Sequence, residues 1–165
     1  MADVVRQDPP LDVPELEMLR AFLDYHRATI LQKIADVDEE DLRKQMVPSG
    51  TSLLGILKHL AHVERWWFRT VFHDEELDYP WTDDDPDADW RIDDSESAED
   101  IVRLYKYETA MAREIVNAAA PDDVAKRKQT QFSLRWILLH MIQETARHNG
   151  HADILREMVD GAIGE

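Results

Sequence analysis

Glu144 and His148 stand four residues apart in the stretch LHMIQETARHNGHADIL, residues 139–155. Four residues make about one turn of an α-helix, so both side chains would lie on the same side of a helix. That side otherwise carries apolar residues, including Met141 and Leu155, at the spacing of a buried face. A carboxylate and an imidazole are costly to bury unless they are paired or bind a metal. Because both groups are good ligands for divalent metals, the spacing indicates half of a metal site.

A third ligand would have to come from another helix, and the segment KHLAHVERWW offers two histidines. His59 has small and apolar residues at helical offsets, which favours an inward position. His62 has Lys58, Arg65 and Arg69 among its neighbours, which favours a more solvated position. We therefore predict that His59 rather than His62 is the third ligand.

His59, Glu144 and His148 would together supply two imidazoles and one carboxylate. Three protein ligands leave positions for water or substrate, which is typical of a reactive rather than a purely structural metal site. The spacing also allows another interpretation, in which Glu144 pairs with Arg147 or another cation at the edge of a bundle. His151 is interpreted either as a group that contacts a ligand or the substrate, or as a surface histidine.

The other histidines are assigned structural positions. His140 precedes Glu144 by four residues and would lie on the same side of the helix, as an extra polar contact or a packing residue. His26 and His73 are isolated in the sequence, and we expect them to be structural or exposed.

Four amphipathic segments account for most of the chain. They span roughly residues 14–37, 51–72, 97–121 and 133–160, and each carries one apolar face. No alternating pattern typical of strands competes with them. We therefore predict one all-α domain over residues 1–165, a four-helix bundle with a long acidic loop, residues 74–96, between its second and third helices. The predicted N-caps are Thr51 or Ser52, Ser97 with Asp100 in a capping box, and Ser133.

The composition excludes several classes of protein. The net charge of −16 argues against nucleic-acid binding, which needs clustered Lys and Arg. The chain has no cysteine, so it has no disulfide, thiolate zinc site or thiol nucleophile of its own. The first fourteen residues, MADVVRQDPPLDVP, do not follow the pattern of a secretory signal, and no apolar run approaches membrane-spanning length. We expect a cytoplasmic protein.

The negative charge is concentrated in one segment. Between Asp74 and Glu99 thirteen acidic residues accompany one basic residue, Arg91. Such a run is typical of a solvated loop. Trp81 and Trp90 argue against complete disorder, and they would either fold the loop over the mouth of the bundle as a lid or anchor it by packing.

Three segments resemble one known superfamily: GILKHLAHVERWWF, PDADWRI and LHMIQETARHNGHADILRE. They resemble the DinB-like, YfiT-like four-helix bundles, and in particular the actinobacterial branch related to mycothiol-dependent maleylpyruvate isomerase and mycothiol S-transferases. The resemblance implies a divalent metal near one end of the bundle, with His59, Glu144 and His148 at the ligand positions. Many relatives have His at the position of Glu144, whereas maleylpyruvate isomerase-like members have Glu.

The resemblance also implies a metal-dependent S-transferase that uses mycothiol or a similar low-molecular-weight thiol. Zn²⁺ is the expected ion, with Ni²⁺, Fe²⁺ or Mn²⁺ as alternatives. His151 would act in catalysis by orienting a ligand or moving a proton, and Arg147 or Arg135 would contact a carboxylate of the thiol or substrate. The negative charge of the chain disfavours anionic substrates and favours a small neutral electrophile.

Two other functions remain compatible with the sequence. The domain could be a non-catalytic stress or interaction protein that binds a metal or ligand, or a metal-dependent hydrolase that activates water. Members of the superfamily are often dimers, so the resemblance further implies a homodimer, for which the aromatic residues of the second helix offer apolar area.

Overall fold

Helices that pack by their apolar faces make up the architecture of the chain. The computed structural model describes residues 5–128 and 131–164, so the first four residues of the N-terminal stretch lie outside the described part. Within it, no strand is present beyond two isolated bridges, and the predicted all-α bundle is confirmed. None of its helices is both long and apolar enough to cross a bilayer. The helices are α1 (Glu15–Ile34), α2 (Glu39–Arg43), α3 (Leu53–Glu64), α4 (Ala98–Asn117) and α5 (Leu134–Asp160).

Polar caps define the starts of three long helices. The hydroxyl of Ser52 accepts a hydrogen bond at the start of α3, and the hydroxyl of Ser133 does the same for α5. Ser97 and Asp100 form a capping box at the start of α4. The end of α5 is marked by Gly161, whose φ of 78° lies in the left-handed region that glycine tolerates best. The three predicted serine caps are therefore confirmed.

The helices differ from the prediction in the end of α1 and in the type of helix that follows Glu64. α1 ends at Ile34 rather than near residue 37, because the chain turns at Asp36, which has a φ of 58°. The connection that follows contains the short α2. α3 is α-helical only to Glu64 and continues as a π-helical segment, Arg65–Phe72. The N–H of His73, for example, donates to the carbonyl of Phe68, five residues earlier.

A buried ion pair ties α1 to the end of α3. Arg27 donates from Nε to Oε1 of Glu64 at 2.7 Å and from Nη2 to Oε2 at 2.6 Å. Both residues are almost completely buried in the core. This bidentate geometry satisfies both charges, whereas removal of one partner from a buried pair typically costs about 3–5 kcal/mol. The pair therefore constrains how the two helices cross.

The acidic loop is anchored to α3 by close backbone packing. A Cβ on Gly55 would lie 2.5 Å from the carbonyl oxygen of Trp90, so only glycine leaves room for the loop at this point. One turn further along, the Nζ of Lys58 donates to the carbonyl of Arg91 at 2.8 Å and to Glu96 at 2.7 Å. The loop thus packs against α3 along this stretch.

We expect Gly55→Ala to destabilise the protein by about 1–3 kcal/mol, the usual cost of forcing extra atoms into a packed site. The added methyl group would displace the backbone at Trp90. Urea unfolding followed by circular dichroism measures the change. Gly150→Ala is the matched control, because a Cβ there meets nothing within 4 Å and should stabilise α5 by about 0.5–1 kcal/mol. Equal stability of the Gly55 variant and the parent would contradict the packing argument.

Candidate functional site

The structure brings His59, Glu144 and His148 together. His59 comes from α3, and the other two come from adjacent turns of α5. One ligand atom of each residue lies within 4.8 Å of the other two. The Nε2 of His148 is 3.0 Å from Oε1 of Glu144, and the Nε2 of His59 is 3.6 Å from the same oxygen. Two nitrogens and one oxygen therefore face a common point.

The geometry and protonation of this set fit a divalent cation. Metal–ligand bonds of about 2.0–2.2 Å would put tetrahedral ligand atoms roughly 3.3–3.6 Å apart. The two spacings from Glu144 Oε1, 3.0 and 3.6 Å, are close to this range. Burial, reinforced by neighbouring His59, lowers the pKa of His148 to about 4, so its ring is neutral at pH 7. Burial opposes ionisation of Glu144, but its hydrogen bonds to His148 and His59 and the charges of His148 and Arg147 together outweigh burial and lower the carboxyl pKa. Neutral imidazole and ionised carboxylate are the forms that bind such metals.

Asp89 is a site residue that the sequence reasoning did not single out. Its side chain is 3% exposed, and its Oδ2 lies 2.7 Å from Nδ1 of His59. A proton on Nδ1 donates to this carboxylate, which leaves the lone pair of Nε2 directed towards Glu144. The ring of Trp90 stacks on His59, with centroids 4.0 Å apart. No local spacing in the sequence distinguishes Asp89 from the other acidic residues of its segment.

The residues predicted to assist the ligands lie at the edge of the site. The Nδ1 of His151 is 3.4 Å from Nδ1 of His148, and the His151 ring is exposed. Arg147 donates from Nη2 to Oε2 of Glu144 at 2.8 Å, and its side chain is 61% exposed. The alternative ion pair of Glu144 is thus also present, but it uses the carboxylate oxygen that does not face the two imidazoles.

The suggested substrate contact by Arg135 is wrong. Its guanidinium is held by Glu15 at 2.8 Å and also pairs with Asp122. Thirteen residues separate Arg135 from His148 along α5, which corresponds to about 20 Å at the rise of an α-helix. Arg135 therefore ties the start of α5 to α1 at the other end of the bundle.

His140 and His26 contact other residues of the bundle rather than the converging ligand set. His140 stacks on Trp136 with ring centroids 5.2 Å apart, and it also contacts Trp67. The carbonyl of His26 accepts a hydrogen bond from Asn149 at 3.0 Å. These contacts agree with the structural positions expected of both histidines.

The prediction that His62 is solvated is wrong. Its side chain is 6% exposed, because Tyr79 and Trp81 from the acidic loop cover it. The nearby cation Arg65 does not hold the His62 ring in solvent, because Arg65 itself pairs with the buried carboxylate of Glu108. Within the described residues, Nδ1 of His62 has no hydrogen-bond partner, and His62 does not belong to the converging ligand set.

A cavity of about 610 Å³ opens beside His148. Val47, Trp90 and Ile154 contribute apolar walls, and His151 lies at its polar side. This volume is in the range of pockets that hold small organic molecules, roughly 300–1,000 Å³. A cavity of similar volume, about 640 Å³, lies between the N-terminal segment and α1, but none of the three converging residues lines it.

We expect the burial of His62 to make the fold sensitive to mild acid. Burial, aided by Arg65 and Lys58 and opposed by Asp89 and Glu96, lowers the pKa of His62 from 6.5 to about 4. Between these two values the unfolded chain binds more protons than the folded chain, so the free energy of unfolding falls as the pH drops from 6.5 towards 4. Urea unfolding at a series of pH values measures this slope.

The control is His62→Gln, measured in the same buffers. His148 is present in both proteins, so its protonation cancels in the comparison, and the variant should lose less stability on acidification than the parent. Equal losses in the two proteins would contradict a buried neutral His62.

Comparisons with known proteins identify the family of the chain and support its fold. A sequence profile described as Mycothiol-S-transferase matches residues 18–161. The crystal structure of a conserved protein of Enterococcus faecalis superposes with a TM-score of 0.64 at 14% identity, covering 92% of this chain and 100% of that chain, and supports the fold alone. No curated protein matches the chain in sequence. Since the profile spans both helices that carry the converging residues, the chain belongs to the mycothiol S-transferase family of DinB-like helical bundles.

Proposed function

We propose that this protein transfers mycothiol, or a similar low-molecular-weight thiol, to a small neutral electrophile at a divalent metal held by His59, Glu144 and His148. One observation carries the proposal: three metal-ligand side chains from two helices converge beside a cavity large enough for an organic molecule. Membership of the mycothiol S-transferase family supports the choice of thiol and reaction. Zn²⁺ is the ion expected at two imidazoles and one carboxylate, with Ni²⁺, Fe²⁺ and Mn²⁺ as alternatives.

The chemistry requires a thiol from outside the protein, because the chain contains no cysteine. A divalent cation held at this position would lower the pKa of a thiol, so that the reactive thiolate would be available at neutral pH. In the transfer, a carbon–sulfur bond forms at the electrophilic carbon and the leaving group departs with the electron pair of the bond that breaks. The thiol proton passes to solvent.

The side chains around the ligands have separate tasks in this proposal. Asp89 keeps the proton on Nδ1 of His59, and Trp90 covers the imidazole face. His151 adjoins both His148 and the cavity and is exposed, so it is placed to exchange a proton with solvent. Arg147 also lines this cavity and offers its remaining N–H groups to polar atoms of the thiol.

The charge of the protein favours a neutral electrophile. A net charge of −16 repels anionic substrates at long range, so a dicarboxylate such as that of the isomerase branch is disfavoured. The apolar walls of the cavity favour an electrophile with an aliphatic or aromatic body. The homodimer stays a prediction of the resemblance, and size-exclusion chromatography with light scattering measures it.

We expect removal of the metal to abolish transfer while the bundle remains folded. Elemental analysis of the purified protein should find one divalent ion per chain, and chelation should stop mycothiol consumption until metal is restored. His59→Ala and His148→Ala should lose more activity than the ~10–100-fold typical of losing a residue that only supports a ligand. His73→Ala is the control, because its side chain is 44% exposed and outside the set.

Different outcomes separate the three candidate functions. Unchanged thiol consumption in both ligand variants would overturn the metal mechanism. Substrate consumption by the metal-loaded protein without added thiol would indicate a hydrolase that activates water. A folded protein that binds metal and thiol but forms no conjugate with a panel of neutral electrophiles would indicate a binding protein.

Asp89→Asn is expected to weaken metal binding about 10–100-fold, the usual effect of losing a carboxylate that orients a ligand histidine. The amide has nearly the same shape, so the loop should stay in place and the circular dichroism spectrum should not change. Competition with a chromophoric chelator measures the affinity. Asp83→Asn is the matched control in the same acidic loop, because Asp83 is exposed. Equal affinities in all three proteins would remove Asp89 from the site.

A further inference from the structure

A second cavity, of about 560 Å³, adjoins the one beside His148. The two cavities share Ser49, Thr51 and Trp90 as lining residues. The two cavities are therefore adjacent along these three residues. None of His59, Glu144 and His148 lines the second cavity, whereas His148 lines the first.

The two cavities differ in chemistry. Beyond the shared residues, the cavity beside His148 has three aliphatic residues, Val47, Ile154 and Leu155, together with the polar side chains of Arg147, His148 and His151. The Ile154 side chain is 59% exposed, and a bound apolar molecule would cover it. We call the second cavity the polar cavity. Its hydrogen-bonding side chains are those of Gln45, Ser49, Thr51, Asp87 and Arg91, of which Ser49 and Thr51 are shared.

Several groups of the polar cavity have unused hydrogen-bonding capacity. The hydroxyls of Ser49 and Thr51 lie 2.9 Å apart, so at most one hydroxyl proton is used between them and acceptor sites remain on both. The side chains of Gln45 and Asp87 have no hydrogen-bond partner in the described part of the chain. An amide, a carboxylate and two hydroxyls beside a tryptophan ring suit a polyhydroxylated molecule, whose hydroxyls both donate and accept and whose ring C–H groups pack on an aromatic face.

The charge of the polar cavity excludes an anionic occupant. Its one cation, Arg91, is already paired with Asp85, and the carboxylate of Asp87 forms no ion pair within the described residues. The acidic loop around it adds further negative charge. A neutral polyol is therefore favoured over a thiol that carries carboxylates.

We propose that the polar cavity binds the neutral sugar part of the thiol and that the aliphatic cavity beside His148 binds the electrophile. This assignment rests on the proposed transferase function. Mycothiol carries its cysteine on a glucosamine–inositol unit, which is neutral and polyhydroxylated. The cysteine arm then extends past Thr51 and Trp90 towards His148, and sulfur and electrophile meet in the aliphatic cavity.

Separate Michaelis constants for the two substrates of the metal-loaded protein test the assignment. The probes are mycothiol and 1-chloro-2,4-dinitrobenzene, a neutral aromatic electrophile whose conjugate absorbs light. Gln45→Ala should raise the KM for mycothiol roughly 2–12-fold, the effect of one lost neutral hydrogen bond, and Asp87→Ala should raise it by more, because its carboxylate is a charged acceptor. Both variants should leave the KM for the electrophile unchanged. Ile154→Asn should raise the electrophile KM alone. Asp84→Ala, an exposed change in the same loop, should leave both constants unchanged.

A binding measurement makes the test independent of turnover. N-Acetylglucosaminyl-inositol, which lacks the cysteine but keeps the sugar nitrogen as an uncharged amide, should bind the metal-loaded parent in calorimetry and bind the Asp87→Ala variant more weakly. Binding of this fragment without any transferase activity would support the polar cavity while the proposed function failed. Active enzyme that does not bind the fragment, or polar-cavity variants that raise both KM values equally, would overturn the assignment while the proposed function stood.

Discussion

The close approach of the acidic loop to α3 at Gly55 is the constraint on which the site depends. The missing side chain of Gly55 lets the carbonyl of Trp90 reach the helix, and the residue before it, Asp89, then reaches His59. Without this approach His59 would have no fixed ring orientation, and the wall between the two cavities would be missing. A single glycine therefore links helix packing, the orientation of one imidazole and the shape of the cleft.

The acidic loop buries a carboxylate at the point where that carboxylate orients a histidine of the site. Most carboxylates of the acidic loop are exposed to water, but Asp89 is buried against a histidine. Burying a carboxylate costs free energy unless a strong hydrogen bond compensates it. The neighbouring Lys58 uses its charge on the carbonyl of Arg91 and on Glu96, so it holds the loop rather than neutralising Asp89. His59, or an ion bound to it, is then the natural partner of the buried carboxylate.

The bundle has a source of stability separate from this site. The bidentate pair between Arg27 and Glu64 and the apolar faces of the four long helices form the core away from the ligands. The pair lies just before α3 passes into the π-helical segment. Changes at the ligand residues can therefore alter chemistry without dismantling the packing of the helices, a separation that is typical of functional sites carried by stable scaffolds.

The sequence alone determined the features that depend on local spacing. The period of apolar residues located the four long helices, and the cap serines located the starts of three of them, because both depend on residues within a few positions of each other. The four-residue spacing placed Glu144 beside His148 for the same reason. The local pattern did not reveal the change from α- to π-helix after Glu64.

Only the tertiary structure decided which distant groups meet. Asp89 lies thirty residues from His59 in the chain, and no local pattern identifies this one aspartate, among the thirteen acidic residues of its segment, as the partner of His59. The charged neighbours of His62 predicted a solvated ring, but the acidic loop covers it. Arg135 was predicted to contact a carboxylate of the thiol or substrate, but the fold sets its cation against Glu15. In each case, the partner is brought close by packing between segments far apart in the chain, and this information is absent from helical periodicity.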